Sequence, residues 1–141
     1  MTLGAADVLP ALARLGADPL SAVYLNPGAN DTSIRHMQDA AQRELGEPIP
    51  DAYAALLRIS NGVQINNAWF KTAEHVVPEN LDAFRPEVIV LGSSGNIAEF
   101  VFDRRDRRFH TINMGYPDER LATFGTLEEL LLTVLREQQV L

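Results

Sequence analysis

The chain has 141 residues, 46% hydrophobic and 22% charged, with 12 basic and 19 acidic side chains, a net charge of −7 and no cysteine. That make-up suits one globular domain over residues 1–141 and excludes disulfide frameworks, thiol nucleophiles and cysteine-ligated zinc. The acidic balance disfavours nucleic acid and favours solubility or a basic partner.

The N-terminal stretch MTLGAADVLPALARLGAD has neither a basic leader nor a long apolar run, and no window approaches the ~20 apolar residues of a membrane span. A soluble, unexported, cytoplasmic protein with no membrane partner is the expectation. Within that stretch Asp7 can cap a short helix whose apolar side is Val8, Leu9, Leu12 and Leu15, ending near Gly16. SAVYLN, closed by Pro27-Gly28, reads as a strand and a turn. From Asp31 or Thr32 onward, Ile34, Met37, Ala41 and Leu45 recur at helical spacing until Gly46. In EPIPDAYAALLRISNG, Pro50 leads into a further helix, Asp51 can cap it, Tyr53, Leu56 and Leu57 form its buried side, and Asn61-Gly62 turn the chain away.

Past Gly62 the period changes. VQI, AWFK, VIVL, AEFVFD and FHTINM are short β-branched or aromatic runs, separated by NN, PENLDAFRPE, GSSGN and RRDRR, as in successive sheet strands. In AEFVFD, Phe100 and Phe102 share one face while Glu99, Val101 and Asp103 share the other. VIVL lacks alternation and reads as a central strand covered on both faces. The last segment, GTLEELLLTVLREQ, pairs a Thr126/Glu129 capping box with a stripe of Leu127, Leu130, Leu131, Val134 and Leu135. This order predicts an α+β fold: a mostly antiparallel sheet with helices packed on one face.

Chemistry-bearing residues are sparse. His36, His75 and His110 are far apart in sequence, none with a ligand-type residue at metal spacing, so neither metal nor cofactor is expected. LGSSGN is one residue short of a nucleophile elbow and lacks the lysine and helix of a phosphate loop, which leaves a turn using Gly92 and Gly95 at positive φ. DRRDRRFH reads as a hairpin tip with Asp106 near the turn and arginines in water. Glu74, Glu79, Asp82, Glu87, Glu99 and Asp103 form an acidic stretch facing only Arg85, a rim that can steer a basic partner. Trp69 is either core or the anchor of such a contact.

IPDAYAALLRISNG resembles the hallmark helix of the SUKH superfamily, which joins yeast Smi/Knr cell-wall regulators to bacterial immunity proteins. Pro50, Tyr53, Leu56, Leu57, Asn61 and Gly62 hold the family's places. VIVLGSSGNIAEFVFD and FGTLEELLLTVL continue the likeness through Gly92, Gly95, Phe100, Phe102, Asp103, Phe124, Leu127 and Leu130, so that it spans about residues 47–135. NGVQINNAWFKTAEHVVPEN is similar to the YrhA-like branch. The resemblance implies an α+β domain without a catalytic centre that neutralises a toxin, often a basic nuclease or deaminase, by binding it. A Smi/Knr-type regulatory or scaffold module with a cellular protein partner is the alternative.

Overall fold

Helical and alternating periods in this chain fall into separate blocks, and the computed structural model, which describes residues 3–83, 85–95 and 97–141, shows each block as an element. After a 3-10 turn (Ala5–Asp7) come α1 (Val8–Gly16), β1 (Val23–Leu25), α2 (Asp31–Glu44), α3 (Asp51–Ile59), β2 (Val63–Ile65), β3 (Ala68–Phe70) and α4 (Val76–Ala83). Then follow β4 (Val88–Ser94), β5 (Ala98–Asp103), β6 (Arg108–Asn113), β7 (Tyr116–Phe124) and α5 (Leu127–Glu137). The strands form one sheet in the order β1-β2-β3-β4-β5-β6-β7, every neighbouring pair antiparallel. The α+β class with an antiparallel sheet and packed helices is therefore as the patterning predicts. No helix among the described residues is long and apolar enough to cross a membrane.

The main core lies between the sheet and the helices. Leu12, Tyr53, Leu56, Leu57, Leu130 and Leu131 meet Ile65, Phe70, Ile89, Leu91, Phe100 and Phe102 there, and the Phe70 and Phe100 rings stack at 5.0 Å. Burying each large apolar side chain contributes roughly 1.5–3 kcal/mol relative to exposure, which is why the α5 stripe decides where that helix docks. Val88, Val90, Val101 and Ile112 form a smaller cluster of their own. β4 is thus buried on both faces, as its unbroken apolar run predicts.

Two elements escape the sequence patterning. PENLDAFRPE, expected as a connector, contains most of α4, and the segment after Met114 forms β7 at the sheet edge. α4 has a weak apolar stripe and an internal Pro78, tolerated because it falls in the first turn. Val76 and Val77 anchor it in the core, and Asn80 ties it to the sheet. β3 pairs only with Gly92, Ser93 and Ser94 of β4, so the edge of β4 around Val90 lacks a strand neighbour. The Asn80 amide takes that place: its Oδ1 accepts from the Val90 N–H at 2.7 Å, and its Nδ2 donates to the Val90 carbonyl at 2.9 Å and the Val76 carbonyl at 2.7 Å. Gln38 does the same for the corner between α2 and α3, gripping the N–H and carbonyl of Ile49 at 2.7 and 2.9 Å.

Several caps differ from expectation. α2 begins at Asp31 as the spacing predicts, and Asn30, to which the sequence reading gave no role, caps it by accepting from Ser33 N–H. Asp51 makes no cap bond. Pro50 holds the N-cap position and Asp51 is the first helical residue, favourable there only through the helix dipole. Thr126 caps α5 as expected, accepting from Glu129 N–H at 3.2 Å. Asp7 stands at the N-cap of α1 without a side-chain cap bond and serves the preceding 3-10 turn instead.

Candidate functional site

β3 places the side chain of greatest interest. Ala68 and Phe70 enter the core, so the intervening Trp69 must point away from it, and it is 46% exposed. Register sets Trp69 beside Gln64, which in turn lies beside Tyr24, 57% exposed. On the other side Trp69 faces Ser93. An open recess of about 250 Å³ adjoins the indole and is bordered by Lys71, Thr72, His75, Glu79 and Ser93. Lys71 pairs with Glu79, and the Thr72 hydroxyl lies 2.6 Å from His75 Nδ1.

Gly92 makes this surface possible, though not in the way its sequence suggests. It lies inside β4 next to the bulge that follows Val90, not in the turn. A Cβ there would come within 2.1 Å of the Trp69 carbonyl, so only glycine lets β3 approach. Gly95 alone of the pair has positive φ, +54°. Asn96 lies outside the described residues.

Residues of α3 and its exit support the same region. Tyr53 is fully buried, and its hydroxyl reaches the carbonyls of Lys71 at 2.6 Å and Leu91 at 3.1 Å, joining α3 to β3 and β4. Burial pushes the phenol far above its ordinary range. Leu57 is core, and Gly62 at φ +85° lets the chain turn into β2. Asn61 accepts from Ala73 N–H at 2.8 Å and donates to the Glu74 carboxylate at 2.9 Å, which orients the start of α4.

The acidic residues do not form one continuous bare rim. Glu79 is paired with Lys71, and Glu99 with Arg85 at 2.5 Å. Asp103 is 3% exposed and receives Arg105 at 3.0 Å and Arg120 at 2.7 Å, so it adds no uncompensated charge to the surface. The hydrogen bond from Arg105 leads the causes that hold its carboxyl well below the usual carboxylate range, against the opposing effect of burial. Glu74 and Asp82 are exposed, and Glu87 is half-buried.

RRDRR is a hairpin tip between β5 and β6, as its composition predicts, but Arg104, Arg105 and Arg107 are engaged in ion pairs. Arg104 donates to Glu47 at 2.8 Å and to the Leu45 carbonyl at 2.5 Å; Arg107 donates to the other Glu47 oxygen at 2.6 Å and stacks over Phe102 at 4.9 Å. Burial raises the Glu47 pKa, but these two arginines outweigh it and the net shift is downward. Glu47, which the sequence reading left unassigned, is thus the counter-ion of this tip.

His110 also departs from expectation. The hairpin brings Asp103 and Asp106 to it, with ligand-type atoms of all three within 4.8 Å. Those atoms are committed elsewhere: His110 Nε2 meets Asp106 at 2.7 Å, Nδ1 meets the Thr123 hydroxyl at 2.9 Å, and Asp103 binds guanidinium groups. The three side chains are joined into one hydrogen-bonded and ion-paired network with Thr123, Arg105 and Arg120. Ser93 and His75 share the recess by Trp69, yet His75 Nδ1 is held by Thr72, and Ser94 accepts from Gln138 at 3.2 Å. Among the described residues no hydrogen bond joins Ser93 or Ser94 to a histidine.

Sequence reasoning named Trp69 and Glu79 but missed Lys71 and Thr72 on the same recess and Tyr24 two strands away in the same row. The available signal was Ala68-Trp69-Phe70: with both neighbours assigned to the core, alternation alone sends the indole outward. No protein-family model matches the chain, and no curated protein matches it.

Proposed function

We propose that this chain is a non-catalytic protein-binding domain that neutralises a cognate toxin by direct contact, in the manner the SUKH resemblance implies. The observation that supports this reading is the half-exposed Trp69 on a rigid strand, with Tyr24 in the same cross-strand row. Aromatic side chains held at the edge of a recess bury large area at little conformational cost, and tryptophan and tyrosine dominate binding hot spots. Exposed Glu74 and Asp82 and the net charge of −7 favour approach of a basic partner.

Calorimetric titration with the protein encoded beside this gene tests the reading. Binding tighter than about 1 μM is expected, with Trp69→Ala weakening it by roughly tenfold or more while the melting temperature stays unchanged. Absence of binding to that protein at micromolar concentration, or full affinity in Trp69→Ala, contradicts it.

A further inference from the structure

The recess beside Trp69 has a counterpart elsewhere in the molecule that already holds a ligand group. At the hairpin tip, an aromatic ring and a carboxylate together seat a guanidinium: Arg107 lies 4.9 Å over Phe102 and donates to Glu47 at 2.6 Å. Trp69 and Glu79, which carry the same two kinds of group, both line the recess, and the recess is open to solvent. Lys71 engages Oε1 of Glu79, and Oε2 has no hydrogen bond to any described residue. Glu79 is also 44% exposed, so a visiting cation reaches it from outside.

We propose that this recess receives an arginine side chain of the partner, its guanidinium stacked on Trp69 and hydrogen-bonded to Glu79. The assignment rests on the reading of Trp69 as a partner anchor and specifies what it grips. Arginine fits better than lysine for a geometric reason. A planar guanidinium lays its face on an indole while its edge N–H groups reach a carboxylate, whereas an ammonium ion satisfies one contact at a time and sheds its hydration less readily. Lys71 is a competitor in this scheme: it holds the carboxylate when the partner is absent and yields part of it on binding.

Trp69 is the sole tryptophan, so its emission reports on this site alone. The probe is the peptide acetyl-Gly-Arg-Gly-Arg-Gly-amide, titrated beside its lysine counterpart into the full chain. A saturable change is expected, with half-saturation for arginine at least about threefold below that for lysine. Glu79→Gln should raise the arginine value by about threefold or more, and Lys71→Ala should lower it by freeing the carboxylate. Damage to the fold cannot mimic two opposite shifts. Glu128→Gln on α5 controls for general attraction to an acidic protein and should change nothing.

Equal response to both peptides overturns the proposal, as does no saturable change up to about 20 mM, since a specific contact is detectable in the millimolar range. So does weakening by Lys71→Ala, or a loss in Glu128→Gln as large as in Glu79→Gln. A partner that still loses affinity in Trp69→Ala while the peptides show no preference sinks only the arginine assignment and leaves the protein-binding reading standing.

Discussion

Replacing Asn80 with alanine removes the amide that completes the free edge of β4. Three hydrogen bonds go with it, two of them to Val90 and one to Val76, all in a buried setting. Val90 is 5% exposed, so water reaches its N–H and carbonyl poorly. Each buried backbone group left unpaired costs roughly 1–3 kcal/mol, which places the loss at about 4 kcal/mol. With an m-value of about 2 kcal/mol/M for a chain of this size, the urea midpoint should fall by about 2 M. Asp82→Ala, on the exposed side of the same helix, should stay within about 0.5 kcal/mol. Asn80→Asp adds a sign test: it keeps the acceptor for Val90 N–H but turns an anion toward two carbonyls. Burial raises the carboxyl pKa in the folded state, so its deficit should be largest at high pH and shrink as pH falls through that raised value toward the unfolded value of about 3.9. A loss under about 1 kcal/mol in Asn80→Ala refutes the reasoning, because it means the edge of β4 is satisfied without the amide.

Tyr53→Phe removes a hydroxyl bonded to Lys71 and Leu91 carbonyls and should cost about 1–2 kcal/mol, read as a melting temperature lower by roughly 3–6 °C. Gly92→Ala forces a methyl group to within 2.1 Å of the Trp69 carbonyl; a loss of about 2–4 kcal/mol and a shifted Trp69 emission maximum are expected, and unchanged emission tells against that contact. Asp103 has a folded-state pKa lowered below its unfolded value of about 3.9, so its contribution is present above that pH and disappears as pH falls through the folded value. Asp103→Asn should therefore be less stable than the parent at pH 7, and the gap between the two should close in strong acid; a constant gap down to pH 2 contradicts the ion pairing with Arg105 and Arg120.

Helices α1, α2, α3 and α5 and strands β1 to β6 were legible because their apolar residues repeat with the period of the element itself. α4 was not, since only Val76 and Val77 at its start enter the core and the rest is tied down by a polar side chain, Asn80, that bonds to a strand ten residues on. β7 was missed because in YPDERLATF the first tyrosine is followed by proline and two acids, residues suited to an edge strand and easily read as loop. The acidic stretch misled for a related reason: charge counted along the chain ignores Arg105 and Arg120, which reach Asp103 in space.

By itself the sequence determined the kind of each strongly periodic element, the antiparallel α+β class and the identity of the aromatic residue on which the functional reading turns. Local spacing suffices for these, because helical and strand periods act over a few neighbouring residues. Only the tertiary structure decided that Trp69 faces outward beside Glu79, that Tyr53 ties α3 to two strands, and that the carboxylates of Asp103 and Glu47 are already engaged. Those outcomes depend on strand register and on partners up to 60 residues apart, which no local pattern encodes.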